Sequence, residues 1–211
     1  MQIKKIEHSC VIVEEAGVKI LFDPGAFSKS VEGTMGLNFI IITHKHADHL
    51  DIDLIKQLIA GNPEVKVITN SDVGAELEKE SIPYELVDGG KSFDLNGISL
   101  EAFGKQHAPI HKTVPEVENT SYLVAGRFYH PGDAYHVCPK PVEVLALPLS
   151  APWGTIGQSV DYALEVKPKK CFSIHDGMLK FRGPYDFVPK TALAPAGIEY
   201  LEPKQAKEFE I

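Results

Sequence analysis

The stretch THKHADHLD, residues 43–51, sets three histidines and two aspartates into nine positions directly after the apolar run NFIII. Imidazole and carboxylate form the donor set that suits zinc, and they also accept iron or manganese. A strand ending near Thr43 and a helix starting near Asp51 would leave a short loop between them. Such a loop can point His44, His46, Asp48 and His49 into one small volume. A solvated polar turn capping the helix is the alternative, and four ligand types in so short a span make it a poor fit.

One cluster of this size does not complete two metal sites. Three further residues of ligand type each follow an expected strand: His107 after ISLEAFGKQ, Asp133 after RFYHPG and His175 after KKCFSI. Taken singly, each reads as easily as an ordinary strand-end residue. HPGD alone fits a β-turn through Pro131 and Gly132. Together with the first cluster, they place ligand chemistry repeatedly at strand ends, where sheet edges line a cleft.

The elements that must position these side chains read as follows. QIKKIEH alternates as a strand, and CVIVEEAGVKILFD reads as a hairpin split at EEAG. LNFIIITH is a near-continuous apolar run, as in a strand buried on both faces. LDIDLIKQLIAGNP has helical spacing and stops at Gly61 and Pro63. VKVIT reads as a strand, and SDVGAELEKES as a short helix capped by Ser71 or Asp72. KSFDLNGISLEAFG and SYLVAGRFYH read as hairpins turning at Asn96-Gly97 and Ala125-Gly126. VEVLALPL and KKCFSI are core strands. TIGQSVDYALEVKP is a helix with a capping box from Thr155 and Gln158. The tail KQAKEFEI is expected as a surface helix. The order never settles into a strict strand–helix repeat, which favours an α+β arrangement of two sheets covered by helices. The span 105–120, KQHAPIHKTVPEVENT, lacks periodicity, and loops of that length tend to carry function. One domain, residues 1–211, is expected.

Composition narrows the function classes. The net charge of −8 disfavours a nucleic-acid or anionic-membrane surface, although a bound cation reverses the sign locally. No apolar run has membrane-spanning length, and the N-terminus turns polar too soon for a signal peptide. Cys10, Cys138 and Cys171 are odd in number and widely spaced, so a disulfide framework is not expected and a cytoplasmic location is.

The H-x-H-x-D-H motif at 44–49, the later His107, Gly132-Asp133 and the strand-end His175 together resemble the metallo-β-lactamase superfamily. The opening EHSCVIVEEAGVKILFDPG resembles the strand pair before its metal loop. The likeness runs from about residue 2 to about residue 200, and it is nearest to the small branch of L-ascorbate-6-phosphate lactonase and related metal-dependent hydrolases. It implies a four-layer αββα sandwich and a centre of two divalent cations, zinc first, with manganese or iron as alternatives. It implies that His44, His46 and His107 hold one cation, that Asp48, His49 and His175 hold the other, and that Asp133 bridges them. Asp23 would be a buried carboxylate keeping the metal loop in shape. His111 shares a loop with His107 and is the competing candidate. Where relatives often show Gly-Asp-Thr, this chain has Gly132-Asp133-Ala134, so one hydroxyl is missing.

Two such cations roughly 3.5–4 Å apart would share a hydroxide that attacks a carbonyl or phosphoryl centre. No G-x-S-x-G or Cys/His signature competes for that role. Asp48 and Asp133 are the catalytic carboxylates on this reading, and Asp48, His8, His111 or His136 could protonate the leaving group. Arg182 could grip a substrate anion, while Trp153, Tyr135, His111 and Phe181 could line the pocket. The expectation is therefore a hydrolase acting on a small ester, lactone or phosphodiester, with an anionic substrate and a homo-oligomer both compatible with the chain. A nuclease acting on RNA and a non-catalytic metal-bound ligand sensor are the alternatives.

Overall fold

The computed structural model describes residues 1–211, the side chains of residues 203 and 205 excepted. Its architecture follows from strands that are apolar on both faces. Along β3 (Val18–Phe22), Ile20 and Phe22 enter one core and Leu21 another. Along β4 (Phe39–Ile41), Phe39 and Ile41 join the first core, while Ile40 and the following Ile42 join the second. β11 (Val144–Pro148) and β12 (Lys170–Ile174) do the same: Val144, Ala146, Phe172 and Ile174 enter the shared core, and Leu145, Leu147 and Cys171 a third. A strand of period two with apolar residues on both sides must be covered on both sides. Three cores therefore separate four layers.

The first sheet joins β1 (Gln2–Lys5), β2 (Val11–Glu15), β3, β4, β5 (Lys66–Thr69) and β6 (Glu85–Leu86), with β14 (Phe209–Glu210) outside β1. It is antiparallel from β14 to β3 and parallel from β3 to β6. The second sheet runs β13 (Glu199–Leu201), β12, β11, β10 (Phe128–His130), β9 (Ser121–Val124), β8 (Ser99–Phe103) and β7 (Ser92–Asp94). It is parallel from β13 to β10 and antiparallel from β10 to β7. The outer face of the first sheet is covered by α1 (Ile52–Gly61) and α2 (Ser71–Lys79), through Leu54, Ile55, Leu58, Val73 and Leu77. That of the second is covered by α3 (Ile156–Val166) and α4 (Gly183–Leu193). The expected αββα sandwich is the observed one. The carboxyl ends of β3 and β4 and of β8, β10, β11 and β12 meet along one edge, where ligands of open sheets gather.

The hairpin turns fall at Ala16-Gly17, Asn96-Gly97 and Ala125-Gly126, all at positive φ. The Thr155–Gln158 capping box is present on α3. Two local expectations are corrected. The cap of α2 is Asn70, whose side chain accepts from the Val73 amide, rather than Ser71 or Asp72. The tail is a four-residue helix α5 (Pro203–Ala206) followed by β14, not one surface helix. β14 pairs with β1 in the register Ile3↔Phe209, so the edge of β1 is closed and Phe209 packs against the shared core. No helix is expected from the sequence reading over α4, which carries Pro184 and Pro189. Pro184 stands in the first turn, where a missing amide costs nothing.

No helix among the described residues is long and apolar enough to cross a membrane. Phe128 is fully buried between the sheets, edge-on to Phe22 and stacked with Phe172. Phe128→Ala should therefore lower unfolding stability by about 3–5 kcal/mol in a denaturant titration.

Candidate metal centre

The loop after β4 is built around one carboxylate. Asp23, fully buried at the end of β3, accepts the Thr43 amide at 2.8 Å and the Thr43 hydroxyl at 2.8 Å. It also accepts Nδ1–H of His49 at 2.7 Å. Asp23 sits at φ 44° and His175 at φ 57°, a left-handed backbone that costs a residue with a Cβ on the order of 1–3 kcal/mol. The loop is pressed against residues 24–26. The Ala26 amide donates to the Ala47 carbonyl and the Asp51 amide to the Pro24 carbonyl. A Cβ on Gly25 would overlap the Asp48 carbonyl and the His49 amide. Asp51 then caps α1 by accepting the Leu54 amide.

Hydrogen bonding at the far nitrogen decides which atom each imidazole offers. Thr43 gives its proton to Asp23, so its oxygen accepts Nδ1–H of His44 at 3.1 Å. Nδ1–H of His107 goes to the Ala108 carbonyl at 2.5 Å and that of His175 to the Ser150 carbonyl at 2.6 Å. His49 gives its own to Asp23. All four therefore turn Nε2 toward one volume. His46 presents Nδ1, 3.1 Å from Nε2 of His44. The donor atoms of His44, His46 and His107 lie within 4.8 Å of one another, and so do those of His44, His49 and Asp133. Nε2 of His175 lies 3.0 Å from Oδ2 of Asp133 and 3.2 Å from Oδ2 of Asp48. Among the described residues, five buried side-chain N or O atoms make no hydrogen bond, and three of them are His49 Nε2, His107 Nε2 and Asp133 Oδ1. Buried polar atoms without partners are costly. Here they face one another from several strand ends, as the donors of a cation cage do, so the residues present fit a metal.

The electrostatics divide the cage in two. Burial, reinforced by the neighbouring His49, pushes His44 well below its ordinary range. Burial and His107 push His46 down. These imidazoles are neutral and ready to ligate. Burial acts against protonation of His49 and His175 as well, but Asp133 outweighs it. His49 is held well above its usual value and His175 is pushed up to about 10. Burial opposes ionisation of Asp133, and the charges of His49 and His175 hold it well below the carboxylate range. Asp48 is likewise held far down, burial being overcome by hydrogen bonds from His175 and His8.

The other residues singled out from sequence fall inside and outside the cleft. Trp153 lines it, and its Nε1–H donates to Oδ2 of Asp133 at 2.9 Å. Tyr135 packs edge-on to Trp153 from behind and hydrogen-bonds Ser159, so it supports the wall without forming it. Arg182 does not reach into the cleft: its guanidinium is taken up by Asp176, Asp186 and Ser173. His111 is exposed and bonded to Thr113, and the cage takes His107 instead. His136 faces Ser121, and Phe181 projects into solvent. Of the three histidines considered as proton donors, only His8 touches the centre, at 3.1 Å from Asp48. Sequence reading missed Asn119, which accepts the Asp133 amide and donates to the Pro131 carbonyl. It also missed His130, stacked on Phe22 and bonded to the Gly132 amide and the Ser9 carbonyl. Both are polar residues buried at a strand end, a signal no lone residue carries.

Residues 2–175 match the family model of the beta-lactamase superfamily domain. The chain belongs to the metallo-β-lactamase superfamily. It is 38% identical to protein Rv0786c of Mycobacterium tuberculosis, across 85% of each chain. Igni18, a metallo hydrolase of Ignicoccus hospitalis, superposes with a TM-score of 0.74 at 19% identity, covering 100% of this chain and 98% of its own. YhfI of Bacillus subtilis, a metallo-β-lactamase fold protein, does so with 0.77 at 13% identity, over 100% and 98%. The superfamily fold thus spans the whole of this chain.

Two measurements test the cage. Because His49 and His175 hold protons that a cation must displace, zinc affinity should rise between pH 6 and pH 8. The rise should be roughly tenfold per pH unit for each proton released, with the release visible in calorimetry in buffers of different ionisation enthalpy. Asp23→Ala leaves His49 Nδ1 and Thr43 without an acceptor and should weaken zinc binding by roughly 10–100-fold in a chelator competition.

Proposed function

We propose that this centre hydrolyses a small, uncharged ester or lactone carrying an apolar substituent, using two divalent cations. That the chain is a metal-dependent hydrolase of this fold accords with its family and with Igni18. The cations, zinc first, would sit among His44, His46 and His107 on one side and Asp48, His49 and His175 on the other, with Asp133 between them. When bound, such cations supply hydroxide at neutral pH and offset the negative charge that builds on the attacked group.

The observation that carries the substrate class is the wall of the cleft. Beyond the cage residues, its volume of about 330 Å³ is lined by Phe27, Ile110, Pro152, Trp153 and Met178. Phe27 is 48% and Met178 60% exposed, an arrangement that pays off when an apolar group covers them. No lysine or arginine is among those lining residues, and Arg182, the expected anion grip, is already engaged. A phosphodiester or an RNA strand would therefore find no lysine or arginine there. The chain's own residues do the rest. Trp153 and the Asn119 side chain fix Asp133, one at Oδ2 and one at the backbone amide. Asp48, more exposed than Asp133 and lining the cleft, stays ionised and is placed to orient the attacking water by accepting its hydrogen bond.

Chromogenic esters of short and medium acyl length, a lactone and bis-p-nitrophenyl phosphate, assayed with zinc or manganese, test this. The esters or lactone should exceed the phosphodiester in kcat/KM by on the order of tenfold or more, about 1.4 kcal/mol. His44→Ala should return every rate to background. A faster phosphodiester, or turnover indifferent to chelation, refutes the reading.

A further inference from the structure

His8 also turns Nε2 toward the centre, but unlike His44, His49, His107 and His175 its Nδ1 accepts a hydrogen bond instead of donating one. Its Nδ1 accepts the Gly177 amide at 3.1 Å. A neutral imidazole has one N–H, so the proton is on Nε2 and faces Oδ2 of Asp48 at 3.1 Å. His8 Nε2 lies close enough to Asp48, His49 and His175 to count among possible cation donors. The Gly177 amide argues otherwise, because a nitrogen that carries the only proton has no lone pair for a metal. His8 is also locked from its backbone: its carbonyl accepts the His175 amide at 2.9 Å. Its ring lies 4.2 Å from the ring of His175, and Phe27 covers another side of it at 5.3 Å. A Cβ on Gly177 would come within 3.0 Å of His8, so the loop after β12 closes directly on it. The side chain is fully buried and reaches three segments far apart in sequence.

We propose that His8 is a positioning residue of the cation site made by Asp48, His49 and His175, holding Oδ2 of Asp48 by a neutral Nε2–H while tying the His175 loop to it. This rests on the two-cation reading above. The hydrogen bond occupies the same carboxylate oxygen that faces His175 and His49, at 3.2 and 3.8 Å. It therefore sets the rotation of that carboxylate relative to its partners. Outer partners of this kind typically govern metal affinity by 10–100-fold.

Zinc titration of the metal-free full-length chain against a chromophoric chelator tests it. Wild-type protein should take up two equivalents. A single equivalent would overturn the two-cation reading itself, and that result is read before any variant is made. His8→Asn keeps an acceptor for the Gly177 amide but is too short to reach Asp48. One zinc equivalent should then weaken by roughly 10–100-fold while the other holds. His8→Gln can extend an amide N–H to Asp48 and should restore binding to within severalfold. Unchanged binding of both equivalents by His8→Asn overturns the proposal. So does failure of His8→Gln to restore binding with its metal-free unfolding midpoint intact, because His8 would then be a ligand. Equal weakening of both equivalents with a lowered midpoint also overturns it, because the role would be packing alone.

Discussion

One buried carboxylate organises the centre. Asp23 takes two hydrogen bonds from Thr43 and one from His49 at a backbone angle unfavourable for a residue with a Cβ. Through Thr43 it also sets the ring of His44, because the hydroxyl that donates to Asp23 is the one that accepts from His44. Two imidazoles from opposite ends of the motif are thus aimed by a residue well upstream of both. The strain at Asp23 is offset by three satisfied contacts in a fully buried place, where an unmade bond is most costly.

The N-terminal loop does for the rest of the cage what Asp23 does for the first motif. His8 meets Asp48, His175 and Gly177, and the Ser9 carbonyl accepts from His130, which in turn accepts the Gly132 amide. Behind His175, the buried Asp176 is neutralised by Lys5 from β1 and by Arg182. Both sheets are thereby pinned to residues 5–9. A cleft at the meeting of two sheets needs such ties, since sheet packing alone leaves strand-end loops free to drift relative to each other.

Sequence was most informative where chemistry was local. His44, His46, Asp48 and His49 lie in one loop whose length confines them, so convergence could be read from spacing. His107, Asp133 and His175 were legible because each follows a strand, and strand ends share an edge in this topology. The role of Arg182 was not legible. Its partners Asp176, Asp186 and Ser173 lie nearby in the chain, but which way the guanidinium turns depends on how α4 packs after β12. The tail misled for a related reason: KQAKEFEI has helical composition, yet an open edge at β1 and an apolar shared core favour pairing Phe209 there. Local propensity yields to burial when the two compete.

Every donor in the cage is nitrogen or oxygen, and all three thiols are buried elsewhere with their ionisation suppressed. A cage without sulfur holds no strong preference for soft ions, and first-row divalent ions differ at such sites chiefly in intrinsic affinity. Which divalent ion such a cage takes up then depends on which ions are available as the chain folds. The same polypeptide made in two hosts can emerge as two different metalloenzymes.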